Sequence, residues 1–224
     1  MLLKARAADL WSLTPKGRQR IDELFGDIDV TRMAVAIQAH PGPLWGDATQ
    51  TVLPPHLAPA KWLPAIRRLL ADHDFDKNVF CISRFPRPTR PDDPIATVID
   101  LARSTLRTHG LTLHRANERL VGDEMWENVG AYMWACRYGI ALFEDRVEEG
   151  LNDNVVIETG GMLTAGRRCA LVRDVTAKKL PSDFIGQIYR SVDFDHPESV
   201  AAVLHTWVSQ DLGLGRCAAC PRGA

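Results

Sequence analysis

The run Gly150-Leu151-Asn152-Asp153-Asn154-Val155-Val156-Ile157-Glu158-Thr159-Gly160-Gly161-Met162-Leu163 carries a carboxylate, Glu158, where helical spacing expects a core residue. On a helix that starts near Asn154, Glu158 shares a face with Asn154, Val155, Gly161 and Met162. Two adjacent glycines each weaken such a helix by roughly 1 kcal/mol relative to alanine. That concession points to a close approach by a ligand or by another backbone. Glutamate is also favoured in first helical turns by the helix dipole, but a capping box needs Ser, Thr, Asp or Asn three positions earlier, where Val155 stands. A glutamate oriented at the positive end of a helix stays ionised near neutral pH and suits a nucleophile or a stabiliser of an oxocarbenium ion. Cleavage of an N-glycosidic bond needs a carboxylate of that kind.

Further polar residues fall in the loops around it. Ser83, Arg84 and Arg87 follow an apolar run, and guanidinium groups there can pair with a pyrophosphate, although loop arginines are often only solvated. Asn117 and Asp123 flank the next loop, where Asp123 can either cap a helix or meet a ribose hydroxyl. Asn154, at the start of the glutamate helix, completes the set of candidate substrate contacts. Trp126 and Trp134 fit a helical pattern and read as core in preference to a stacking platform. Asp183 reads as part of a turn between Pro181 and Gly186.

These loops need a frame, and short apolar runs alternate with helical patterns from Asn78 to about Leu212. Strands are expected at Val79–Ile82, Leu111–Leu113, Gly139–Phe143, Arg168–Val172 and Ile188–Val192. Between them lie a helix with Ile95, Val98, Ile99, Ala102 and Leu106 on one stripe, stopping at Gly110, and a helix from about Asp123 with Trp126, Val129, Met133 and Arg137 on one side. The glutamate helix ends at Gly166, and a closing helix carries Val200, Val203, Leu204, Trp207 and Val208. The pattern is that of an α/β, flavodoxin-like domain: a five-stranded parallel sheet with helices on both faces. Its ligand sites lie beyond the carboxyl ends of the strands.

Residues 1–77 are expected to form a mainly helical extension that packs on this domain. One helix follows Thr14-Pro15 with Ile21, Leu24 and Phe25, and another runs from Pro59 to about His73 with Leu63, Ile66, Leu69 and Leu70. The string Leu13-Thr14-Pro15-Lys16-Gly17-Arg18 is similar to the end of many winged-helix DNA-binding domains, but only twelve residues precede it, too few for a recognition helix. Residues 213–224 read as a mobile tail.

The bulk numbers narrow the function classes. A net charge of −1 over 224 residues gives no argument for nucleic acid or a membrane surface as partner. Neither a membrane-spanning run nor a signal sequence is legible, so a cytoplasmic location is expected. Cys81, Cys136 and Cys169 sit in apolar stretches as core thiols do. Cys217 and Cys220 have metal-type spacing, but no second pair and no following histidine completes four ligands, so no metal is expected.

The run Asn154-Val155-Val156-Ile157-Glu158-Thr159-Gly160, then Gly166-Arg167-Arg168, then Leu180-Pro181-Ser182-Asp183-Phe184-Ile185-Gly186-Gln187-Ile188-Tyr189, resembles the TIR-like domain of bacterial cyclic-nucleotide-linked antiphage effectors. The resemblance covers about residues 78–212. It implies a flavodoxin-like fold and hydrolysis of the nicotinamide-ribose bond of NAD, with Glu158 catalytic, NAD as substrate and no cofactor. It also implies a homo-oligomer or an assembly with an activating partner, and a role in antiviral or stress defence. In place of the family's His-Gly-Arg type turn the chain has Ser83-Arg84-Phe85-Pro86-Arg87-Pro88. Nucleoside deoxyribosyltransferases share the fold and a comparable glutamate, so transfer between nucleobases and nucleotide sensing without turnover stand as alternatives.

Overall fold

Five consecutive buried residues, Asn78 to Ile82, form a strand covered on both faces, which a parallel sheet between helix layers requires. In the computed structural model the described residues are 3–6, 10–13, 15, 19, 52–87, 93–147, 150–178, 180, 181, 184, 189–218 and 220. The chain divides into two compact units, residues 1–49 and 50–224. In the first, β1 (Leu3–Arg6) and β2 (Leu10–Leu13) pair antiparallel, Leu3 opposite Leu13. The strands stand in the extension expected to be mainly helical, and the expected helix with Ile21, Leu24 and Phe25 lies outside the described residues.

The second unit runs α1 (Leu63–Leu70), β3 (Asn78–Ile82), α2 (Ile95–Arg107), β4 (Thr112–His114), α3 (Met125–Ala135) and β5 (Tyr138–Phe143). It continues through α4 (Asp153–Thr164), β6 (Arg168–Asp174), β7 (Tyr189–Val192) and α5 (Glu198–Thr206), which a π-type turn extends over Trp207–Asp211. The sheet is parallel throughout, in the order β4-β3-β5-β6-β7. This is the flavodoxin-like order 2-1-3-4-5, and the five expected strands are all present within a residue or two.

Alternation along the strands sorts the core into two layers. Phe80, Ile82, Ala141, Phe143 and Leu171 face a cluster with Ile66, Leu69, Tyr132, Met133 and Met162, contributed by α1, α3 and α4. Val79, Cys81, Ile140, Leu142 and Val172 face Val98, Ile99, Ala102, Val200 and Leu204 of α2 and α5. Because α1 covers part of a sheet face, the unit begins at Gln50, and Asn78, where sequence patterning suggested a boundary, lies inside it. The segment is tied down by Arg167, a buried guanidinium that donates to the carbonyls of Leu53, Met133 and Trp134 and lies over the rings of Phe75 and Trp134.

Helices α2 and α4 stop where left-handed glycines turn the chain, Gly110 and Gly166, both at φ +73°. Gly161 has a different task. A Cβ there would stand 3.0 Å from Met133 Sδ, so this glycine lets α4 approach α3. The close approach inferred from the glycine pair is thus helix packing at Gly161, while Gly160 has open space within 4 Å. No helix among the described residues is long and apolar enough to cross a membrane.

Candidate functional site

The order of the strands reverses between β3 and β5, and such switch points open a crevice beyond the carboxyl ends. Here a small depression is lined by Arg84 after β3, Leu142, Phe143 and Glu144 at the end of β5, and Asn152 and Val155 at the start of α4. Asn152 is the N-cap of α4; its side-chain oxygen accepts from the backbone N–H groups of Asn154 and Val155. The rim is therefore fixed by the same cap that starts the helix bearing Glu158.

Charges at this edge are organised in two networks. Arg84 is buried, donates through Nε to Glu144, and makes a bidentate pair with Asp93 at 2.6 and 2.7 Å. Asp93 also accepts from the backbone N–H groups of Arg87 and Ile95, and the Arg84 guanidinium leads the effects that hold its carboxyl down at about 2. Arg146 bridges Asp174, Asp193 and Asp195 at 2.7–3.1 Å, and its own N–H donates to Glu144, joining the networks. Asp174 has no solvent exposure and also accepts from Phe194 N–H and from Thr176. Arg84, one of the two arginines considered for a pyrophosphate, is thus paired with two protein carboxylates at the crevice.

Glu158 sits in the sixth position of α4, beyond the first turn, so it does not cap the helix. Among the described residues it has neither a hydrogen-bond nor an ion-pair partner. Burial alone pushes its carboxyl up to about 7. This corrects the expectation of a carboxylate held ionised by a helix end: the N-terminal N–H groups are taken by Asn152, and desolvation dominates. Glu158 lies one helical turn beyond Val155, outside the lining of the depression.

The remaining candidates are dispersed. The Ser83 hydroxyl is buried against the Cys81 thiol, with no oxygen or nitrogen partner among the described residues. The Arg87, Asn117, Asp123 and Asn154 side chains are exposed. Asp123 does not cap α3, whose N-cap position is Glu124; its backbone N–H instead donates to Glu127 at 3.0 Å. Trp126 is 46% exposed, contrary to its reading as core, whereas Trp134 packs against the core cluster. Asp183 lies outside the described residues.

Sequence reasoning missed Asp93, Glu144, Arg146 and Asp174, although a signal existed. A charged residue follows each of the two wholly apolar strand runs within two positions, Arg84 after Ile82 and Glu144 directly after Phe143. It also missed the partners of the Cys217–Cys220 pair, because His109 and His205 come from elsewhere in the chain. No family model matches the sequence, and no curated protein matches it either.

Proposed function

We propose that this chain hydrolyses the N-glycosidic bond between nicotinamide and ribose in NAD or a related nucleotide, as its resemblance to TIR-like domains implies, with Glu158 as the working carboxylate. The observation that carries this reading is an unpartnered, half-buried carboxylate on the helix that starts at the switch point of a 2-1-3-4-5 sheet. A structural glutamate in such surroundings would be expected to have an ion-pair or hydrogen-bond partner. The positively charged nicotinamide ring of a bound nucleotide supplies one and draws the carboxyl down into its ionised form.

The C1′–N bond breaks with its electron pair leaving on nicotinamide, which neutralises the ring. The ribosyl oxocarbenium ion is stabilised or captured by Glu158. Water then adds hydroxide to C1′ and releases one proton, giving ADP-ribose and nicotinamide. The test is chromatography of NAD incubated with the full-length chain and with Glu158→Gln. Nicotinamide release by the wild type and at least a hundredfold less by the variant supports the proposal; equal release by both overturns the role of Glu158.

Nucleotide binding without turnover is the second reading. It is favoured by the position of Glu158 outside the depression. It expects NAD to raise the melting temperature while no nicotinamide appears. Deoxynucleosides in parallel incubations test base exchange.

A further inference from the structure

We infer that His109, His205, Cys217 and Cys220 form a closed, tetrahedral zinc site that staples the C-terminal segment to the helical layer formed by α2 and α5. The four donor atoms lie within 4.8 Å of one another. The two sulfurs are 3.4 Å apart, and His109 Nε2 stands 2.9 Å from His205 Nδ1. Sulfur-to-nitrogen separations are 3.4 Å from Cys217 to His205, 3.8 Å from Cys220 to His205 and 3.9 Å from Cys220 to His109. A tetrahedral ion with Zn–S of about 2.3 Å and Zn–N of about 2.0–2.1 Å requires edges of about 3.8 Å (S–S), 3.6 Å (S–N) and 3.4 Å (N–N). Five of the six edges fall within about half an ångström of these, and the sixth, from Cys217 to His109, is within 4.8 Å, so side-chain movements of about an ångström close the site.

The donor set is two sulfurs and two imidazole nitrogens, with no oxygen, which favours zinc over magnesium or calcium. Four protein ligands leave no open position, and the site is structural in kind.

Each ligand is placed by the fold. His109 occupies the turn after α2 that the left-handed Gly110 closes, where Leu111 N–H returns to the Leu106 carbonyl at 3.1 Å. His205 is buried near the end of α5. The cysteines form a tight turn in which Cys220 N–H donates to the Cys217 carbonyl and Cys217 N–H donates to Cys220 Sγ at 3.2 Å, a bond that strengthens with a thiolate.

The site lies at the amino end of β4 and the carboxyl end of α5, the opposite edge of the sheet from the switch point. Its action is therefore on folding of the tail and is independent of the reading of Glu158. This also explains the C-x-x-C pair, which had no partners by spacing alone.

The experiment uses the full-length chain purified under reducing conditions without chelator. Elemental analysis should find about one zinc per chain. Metal-free chain, prepared with chelator, should take up one equivalent of Co(II) with thiolate-to-cobalt charge transfer and tetrahedral d–d bands, and zinc should displace the cobalt. In Cys217→Ser/Cys220→Ser both signals should vanish, and added zinc should no longer raise the melting temperature. Less than a tenth of an equivalent of zinc together with no cobalt–thiolate band in the wild type overturns the site, whether or not the double variant folds. So does a Cys217–Cys220 disulfide in the reduced preparation, or undiminished zinc binding by the double variant.

Discussion

Replacing Glu158 by glutamine should change stability with a pH dependence that a desolvated, unpaired carboxylate produces and a helix-end glutamate does not. The carboxyl titrates near 4.5 in the unfolded chain, and burial pushes it up to about 7 in the fold. Below about pH 4.5 both states hold the proton and there is no penalty. Between about 4.5 and 7 the unfolded chain ionises while the folded chain keeps its proton, so stability falls as pH rises. Above about 7 the loss is complete. At ~1.4 kcal/mol per pH unit it amounts to about 2–3 kcal/mol, the lower end reflecting solvent that still reaches the side chain. Glutamine has the same shape and no charge to desolvate, so Glu158→Gln should gain about 2–3 kcal/mol on the wild type between pH 4 and 8. Urea unfolding of both chains at half-unit pH intervals measures this. His114 acts in the opposite sense, because burial lowers it from 6.5 to about 4 and withdraws stability as pH falls through that window. The difference between the two chains cancels that contribution and isolates Glu158. A difference that stays flat from pH 4 to 8, or that favours the wild type as pH rises, refutes the reasoning. The stabilised variant should also be the inactive one, since a carboxylate held ready for a cationic ligand is a cost to the free protein.

Asp93→Asn should destabilise the chain by about 2 kcal/mol or more at pH 7, because it removes half of the Arg84 pair. The Asp93 carboxyl is held at about 2 against 3.8, so its contribution is present above pH 3.8 and fades as pH falls through 2, and the gap should narrow in unfolding curves at pH 3 and below. Arg167→Met should cost about 3 kcal/mol or more in urea unfolding at neutral pH, since three carbonyls lose a charged donor and the Leu53 segment loses its tie. Unchanged stability would show that water replaces it. Gly160→Ala meets nothing within 4 Å and should raise stability by about 0.5–1 kcal/mol through helix propensity, with nucleotide binding retained in thermal-shift titrations. Loss of binding would mean that a ligand approaches the α4 backbone there.

The architecture was legible in the sequence because it rests on local repetition. Runs such as Val79–Ile82 and Gly139–Phe143 are apolar at every position, the mark of strands buried on both faces. The stripes of α2 and α5 have a period of 3.6, and Gly110 and Gly166 end helices by a conformation that other residues disfavour. Glu158 stood out for the same reason, as a carboxylate that breaks a local pattern. Its ionisation was not legible, since desolvation depends on which elements cover α4 and not on its neighbours in the chain. Trp126 fits the α3 stripe yet is nearly half uncovered, because periodicity says which face a side chain occupies and not how far a neighbouring element reaches over it. Arg84 read as a loop arginine, either solvated or paired with a pyrophosphate, whereas folding brings Glu144, sixty residues away, against its Nε and Asp93 against its terminal nitrogens. Cys217 and Cys220 likewise acquired partners only when two helix ends set His109 and His205 beside them. Patterns of burial are properties of one segment at a time, whereas charge pairing, desolvation and ligation belong to groups that meet only after the chain has closed on itself.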